Sequence, residues 1–153
     1  MSKYWRVLWE DMTTEAIATD AFATAVVSSC RTTLGDSLRS VVYFTRDDFE
    51  VLYVRKDLYD DDESMRAVKA DLVESERTAF GPQETYDRTD GPTGTGPGFG
   101  EYEFTLRVFS DGFVGRVVGG DHGVIVTTDE LELTEFEEME VAIRRMLEDE
   151  SAE

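Results

Sequence analysis

Between Thr14 and Leu34 apolar side chains recur at helical spacing: Ile17 leads, then Ala18, Phe22, Val26, Cys30 and Leu34 follow at four-residue steps, and Gly35 offers a C-cap. The period then changes. Leu38 to Thr45 is dense in β-branched and aromatic residues, Arg46-Asp47-Asp48 supplies a turn, and Phe49 to Arg55 sets Phe49, Val51 and Tyr53 against Glu50, Leu52 and Val54. That pair predicts a hairpin. An acidic run, Asp57 and then Asp60 to Glu63, leads into a second helix through Met65, Val68, Leu72 and Val73, expected to end near Phe80-Gly81-Pro82. Acids at that N-terminus favour the helix macrodipole. Gly81 to Gly100 holds all three prolines and predicts a loop, serving as a lid or as a tether. Alternation resumes in Tyr102, Phe104, Leu106 and Val108, turns at Ser110-Asp111-Gly112, continues from Phe113 to Val118, turns again at Gly119 to Gly123, and closes with a strand from Val124 to Thr127. Thr134 and Glu137 form a capping-box pattern ahead of Phe136, Met139, Ile143, Met146 and Leu147, which predict the last helix.

The expected fold is α+β: a five-stranded antiparallel sheet, made of a hairpin and a three-stranded meander, with three helices in the order α-β-β-α-β-β-β-α. The first and last helices are expected on one side of the sheet. A chain of 153 residues is most economically one domain, burying roughly 68–70% of its unfolded surface. The organisation read from the sequence is an apolar N-terminal arm over 1–13, a single domain over 14–148 containing the 81–100 loop, and a frayed acidic tail over 149–153. Both tryptophans lie in the arm. Tyr4, Trp5, Leu8 and Trp9 either dock on the chain's own core or form a partner interface.

Charge changes the picture of the solvent more than that of the fold. Thirty-four acids against 15 bases give a formal charge of -19, and only Lys3, Lys56 and Lys69 are lysines. Such a surface repels itself in dilute buffer and becomes tolerable where molar salt cuts the Debye length to about 3 Å. The expected setting is therefore a halophile's cytoplasm, rich in K+. Nucleic-acid binding is disfavoured because it depends on cations displacing counterions, and mimicry of DNA explains the charge less economically than salt adaptation does. Cys30 has no partner in the chain, which excludes an internal disulfide and fits a reducing compartment; on its apolar stripe it reads as a small buried hydrophobe. No run approaches the roughly 20 apolar residues of a membrane span, and the N-terminus lacks a signal-peptide pattern.

Candidate chemistry is sparse. The glycine run from Gly94 to Gly100 differs from phosphate-cradling loops in its proline, its missing Lys-Ser or Lys-Thr pair, and the strand that follows it. His122 is the single histidine and stands near no recognisable nucleophile, so a structural role outweighs a catalytic one. The acids Asp60 to Glu63, and Asp87 with Asp90, lack the ligand spacing of a calcium loop. Arg107 and Arg116, on neighbouring strands, each call for a carboxylate partner or an anionic ligand, and with His122 they make up the candidate anion-binding set. No catalytic residue, cofactor or metal is expected.

The order of elements resembles the roadblock and longin-type domains, and the related profilin-like and PAS-like sheets share it. That resemblance implies an interaction module, often a homodimer joined through helices or sheet edges, acting as a scaffold or regulator of small GTPases. The stretches Leu38 to Thr45, Phe49 to Tyr53, Arg107 to Phe109 and Gly120 to Asp129 are similar to a family of small uncharacterised haloarchaeal proteins, over about Asp20 to Leu147. The leading expectation is a non-enzymatic interaction or regulatory module, homodimeric, whose exposed strand edge or remaining sheet face serves a partner. The rival is a sensor of small anionic metabolites in which the 81–100 loop closes over a pocket and Arg107 or Arg116 reads the anion.

Overall fold

A computed structural model describes residues 16–77 and 103–151. The arm over 1–13, the loop over 81–100 and the predicted end of the second helix at 80–82 lie outside these residues. Five strands, β1 (Leu38–Thr45), β2 (Phe49–Val54), β3 (Thr105–Phe109), β4 (Gly112–Gly119) and β5 (His122–Thr128), pair antiparallel in the order β2-β1-β5-β4-β3. Three helices, α1 (Asp20–Leu34), α2 (Asp62–Arg77) and α3 (Leu133–Ser151), complete the α-β-β-α-β-β-β-α order that the periodicities predict. The fold is the expected hairpin plus meander, closed in the middle by β1 against β5.

α1 and α3 pack together on one face. Phe22, Ala23, Val26, Cys30 and Leu34 of α1 and Phe136, Met139, Ile143 and Leu147 of α3 enclose Val41, Val117, Val124 and Val126 of the sheet. Each large side chain buried this way contributes about 1.5–3 kcal/mol. The closest fit is at Gly115, where a Cβ would lie 2.5 Å from the Phe136 ring, so the glycine is the socket for that ring. Full burial pushes the Cys30 thiol up to about 12, which makes it an inert part of this layer.

α1 starts later than its apolar period suggests. Thr19 caps it by accepting a 3.2 Å bond from Phe22 N, and Gly35 closes it at φ 57°. Ile17 and Ala18 precede the helix, and their amides both donate to Glu50 Oε1 at 3.0 Å, so a buried carboxylate supplies what a first helical turn would leave unpaired. α3 begins one residue before Thr134, which is therefore inside the helix rather than at its cap. At its far end the helix runs to Ser151, with Leu147 fully buried and its carbonyl accepting a 2.9 Å bond from His122 Nε2.

The strict alternation expected in β2 also fails midway. A bulge opposite Val41 and Val42 leaves Leu52 out of the pairing register. Leu52 and Tyr53 consequently both join the α1/α3 layer, while Val51 and Val54 join the opposite one.

Candidate functional site

The opposite face carries a single helix among the described residues. α2 opens where Asp61 Oδ1 accepts a 2.7 Å bond from Ser64 N, a bond that holds the Asp61 carboxyl below its ordinary range. It then runs alongside β1 in the same direction, with Lys69 over Ser40 near the strand's start and Arg77 donating to Thr45 O at its end. Five strands span about 24 Å and a helix covers about 10 Å, so among the described residues α2 covers only part of this face.

The residues α2 presents to the sheet are Met65, Lys69, Val73 and Glu76. Val68, which the sequence places on the apolar stripe, is instead half exposed, since a lysine and a glutamate occupy the inward positions. The polar pair meets polar rows on the sheet. Register aligns Val54, Ser40, Thr127, Val114 and Arg107 across one row, and Val42, Ile125, Arg116 and Thr105 across the next.

At the second row Glu76 gathers both predicted arginines. Arg116 Nη1 lies 3.0 Å from Glu76 Oε1 and Arg107 Nε 2.9 Å from Oε2, while Arg116 Nη2 donates to Thr105 Oγ1 at 2.7 Å. Arg116 and Glu76 are buried, and Arg107 reaches in from half-exposed β3. The carboxylate that these guanidinium groups call for comes from α2. The structure places His122 elsewhere, in the α1/α3 layer, bonded through Nδ1 to Tyr43 OH at 2.8 Å and through Nε2 to the Leu147 carbonyl. It therefore brings Arg107 and Arg116 together and sets His122 apart from them. Tyr4, Trp5, Leu8 and Trp9 lie outside the described residues.

At the first row Lys69 Nζ donates to Ser40 Oγ at 2.8 Å, and Ser40 Oγ lies 2.6 Å from Thr127 Oγ1. The Tyr59 ring lies 5.6 Å away. Lys69 is 4% exposed and has no carboxylate in ion-pair reach among the described residues. Burial, with Arg39 adding repulsion, pushes its ammonium down to about 8. Beside it Asp129 bridges Arg39 and Arg55, at 2.8 Å to each, and Arg55 also holds Asp57 at 2.7 Å. The Arg39 bond, then that of Arg55, keeps the Asp129 carboxyl below the usual carboxylate range. A cavity of about 350 Å³ opens here, between Lys69, Arg39, Tyr59 and the β3–β4 turn.

At the outer edge, β3 pairs only with β4 among the described residues and exposes Val108 (69%) and Phe109 (58%). Sequence reasoning marked Arg107 and Arg116 and expected an exposed strand edge without naming the strand, but missed Lys69 and Glu76. The signal was present, because Met65, Lys69, Val73 and Glu76 follow helical spacing with two charges on the stripe.

No helix among the described residues is long and apolar enough to cross a membrane, and none of their side chains cluster as a metal site. Among solved structures the chain is similar to the gliding protein MglB of Thermus thermophilus, at 11% identity and a TM-score of 0.53, covering 90% of this chain and 99% of that one. It is also similar to MglB of Myxococcus xanthus, at 11% identity and a TM-score of 0.49, covering 88% and 95%. The first likeness supports the roadblock-type fold expected from the order of elements. A comparison with curated protein sequences gives no match. A family model matches residues 24–148, from within α1 to the last turns of α3, and the chain accordingly belongs to the family described as domain of unknown function DUF7522.

Proposed function

We propose that this protein is a non-enzymatic interaction and regulatory module that works as a homodimer in a salt-rich cytoplasm. The observation that carries the reading is the β3 edge. Among the described residues β3 stands last in the strand order, laddered to β4, and Val108 and Phe109 are exposed on it. An antiparallel edge can pair with a second copy of itself about a two-fold axis, which satisfies both ladders at once. Charge selects the same place. On a chain of net charge -19, Thr105–Phe109 contains no acid and one arginine, so two copies meet there without facing carboxylates within the strand. The acidity of the remaining surface fits high K+, where screening removes the repulsion between copies.

The test is light scattering after gel filtration in about 2 M KCl, on the whole chain and on Val108→Asp. The expected result is a mass near twice 17.3 kDa for the parent and near 17.3 kDa for the variant. A monomeric parent at that salt, or a variant that remains dimeric, would sink the edge-pairing reading.

A further inference from the structure

The cavity beside Lys69 shares Phe109 with the β3 edge but lies on the α2 face of the sheet, and it has the composition of a ligand site. Among the described residues Arg39 and Arg55 are paired with Asp129 and Asp57, whereas Lys69 has no ion pair in this strongly acidic chain. The interactions of Lys69 are one hydroxyl and one aromatic face. A buried ammonium normally has a carboxylate beside it, because desolvation otherwise disfavours the charged form. Asp111, the acid on the cavity lining, is exposed on the β3–β4 turn and forms no ion pair with Lys69. The remaining walls combine the apolar and aromatic Phe109, Phe113, Val114 and Tyr59 with the hydroxyls of Ser110, Thr127 and Thr128. Cavities of this size, apolar with a few convergent polar groups, are typical of small-molecule sites.

We propose that this cavity binds a small organic acid, with its carboxylate on Lys69 Nζ within reach of Arg39 and its apolar body against Phe109, Val114 and the Tyr59 ring. The bound carboxylate supplies the counter-charge that the fold withholds from Lys69. Ser40, itself bonded to Thr127, accepts from the ammonium on the sheet side and limits its rotameric search beside the cavity. A small neutral molecule of the same shape gains only the apolar contacts. Inorganic phosphate gains only the charge.

The chain has three lysines, so protein carrying ¹³C at the lysine ε-carbons gives a three-signal spectrum in which Lys69 is assigned by Lys69→Met. Titration uses sodium benzoate, benzyl alcohol and sodium phosphate at constant ionic strength. Benzoate is expected to move the Lys69 signal saturably, to leave Lys56 in place, and to raise the Lys69 titration midpoint by about one unit, a tenfold shift in its proton equilibrium. Benzyl alcohol is expected to bind at least about tenfold more weakly, and Lys69→Met to lose benzoate binding by a similar factor. A Lys69 signal that benzoate leaves in place, or moves no more than Lys56, overturns the proposal. So does benzoate binding of unchanged strength in Lys69→Met, or a response to phosphate where benzoate gives none.

Discussion

Under α1 and α3 the sheet presents Val41, Val117, Val124 and Val126 to a layer that is mostly apolar, with His122 and Glu50 at its margins. On the reverse face the same strands present Ser40, Thr127 and Arg116 beneath Lys69 and Glu76. Both faces are covered by helix, yet they are built to different ends. The two-helix face is closed by shape, as at Gly115 and Phe136, and its strength is that of transfer out of water. The one-helix face is closed partly by charge, and charges contribute little net stability once their desolvation is counted. Folding alone does not require the second arrangement, which leaves its charged groups available to a ligand.

The contrast can be broken hardest at the apolar face. Phe136→Ala empties the socket at Gly115 and is expected to cost about 3–5 kcal/mol in denaturant unfolding at fixed KCl. On the polar face, Glu76→Leu leaves Arg116 buried without its acid and is expected to cost about 3 kcal/mol. Adding Arg116→Met should recover much of that loss, since an apolar pair replaces an ionic one of similar volume; a double variant as unstable as the single one would mean that the network holds the fold after all.

Lys69→Met sharpens the comparison by acting in the other direction. It is expected to stabilise the protein by roughly 1–3 kcal/mol near neutral pH, because it removes a buried ammonium that has no counter-ion among the described residues. The sign follows from the folded value of about 8 against an ordinary 10.5. Between these the unfolded chain holds more proton than the folded one, so this group's contribution to stability rises with pH across that window and is lost as pH falls through 8. Unfolding midpoints at pH 7 and pH 9.5 should therefore differ more in the parent than in Lys69→Met, and an identical pH response would remove the argument for a strained ammonium. The smallest expected effect on stability is that of Val108→Asp, within about 0.5 kcal/mol, since an exposed edge residue supports association rather than the monomer.

The order and type of all eight elements were legible because each carries its own period, and the meander's alternation survives even where β3 is half exposed. Three features were not. The start of α1 was masked by Ile17 and Ala18, which continue the apolar rhythm although Glu50, distant in sequence, holds them outside the helix. The bulge at Leu52 exists only relative to β1, and no property of the β2 sequence alone encodes a partner's register. The site on α2 was written in the sequence and overlooked, because Lys69 and Glu76 on a stripe count as interruptions until the rows beneath them are known to be polar.

The bonds of His122 fix more than the end of α3. A carbonyl only accepts, so Nε2 carries a proton and donates it to Leu147, while Nδ1 and the Tyr43 hydroxyl share the second bond. One imidazole thus ties β1, β5 and α3 together. As the chain contains a single imidazole, its ring protons form an isolated spectroscopic probe: one pair of resonances that reports, without any label, whether the last helix is docked at a given salt concentration.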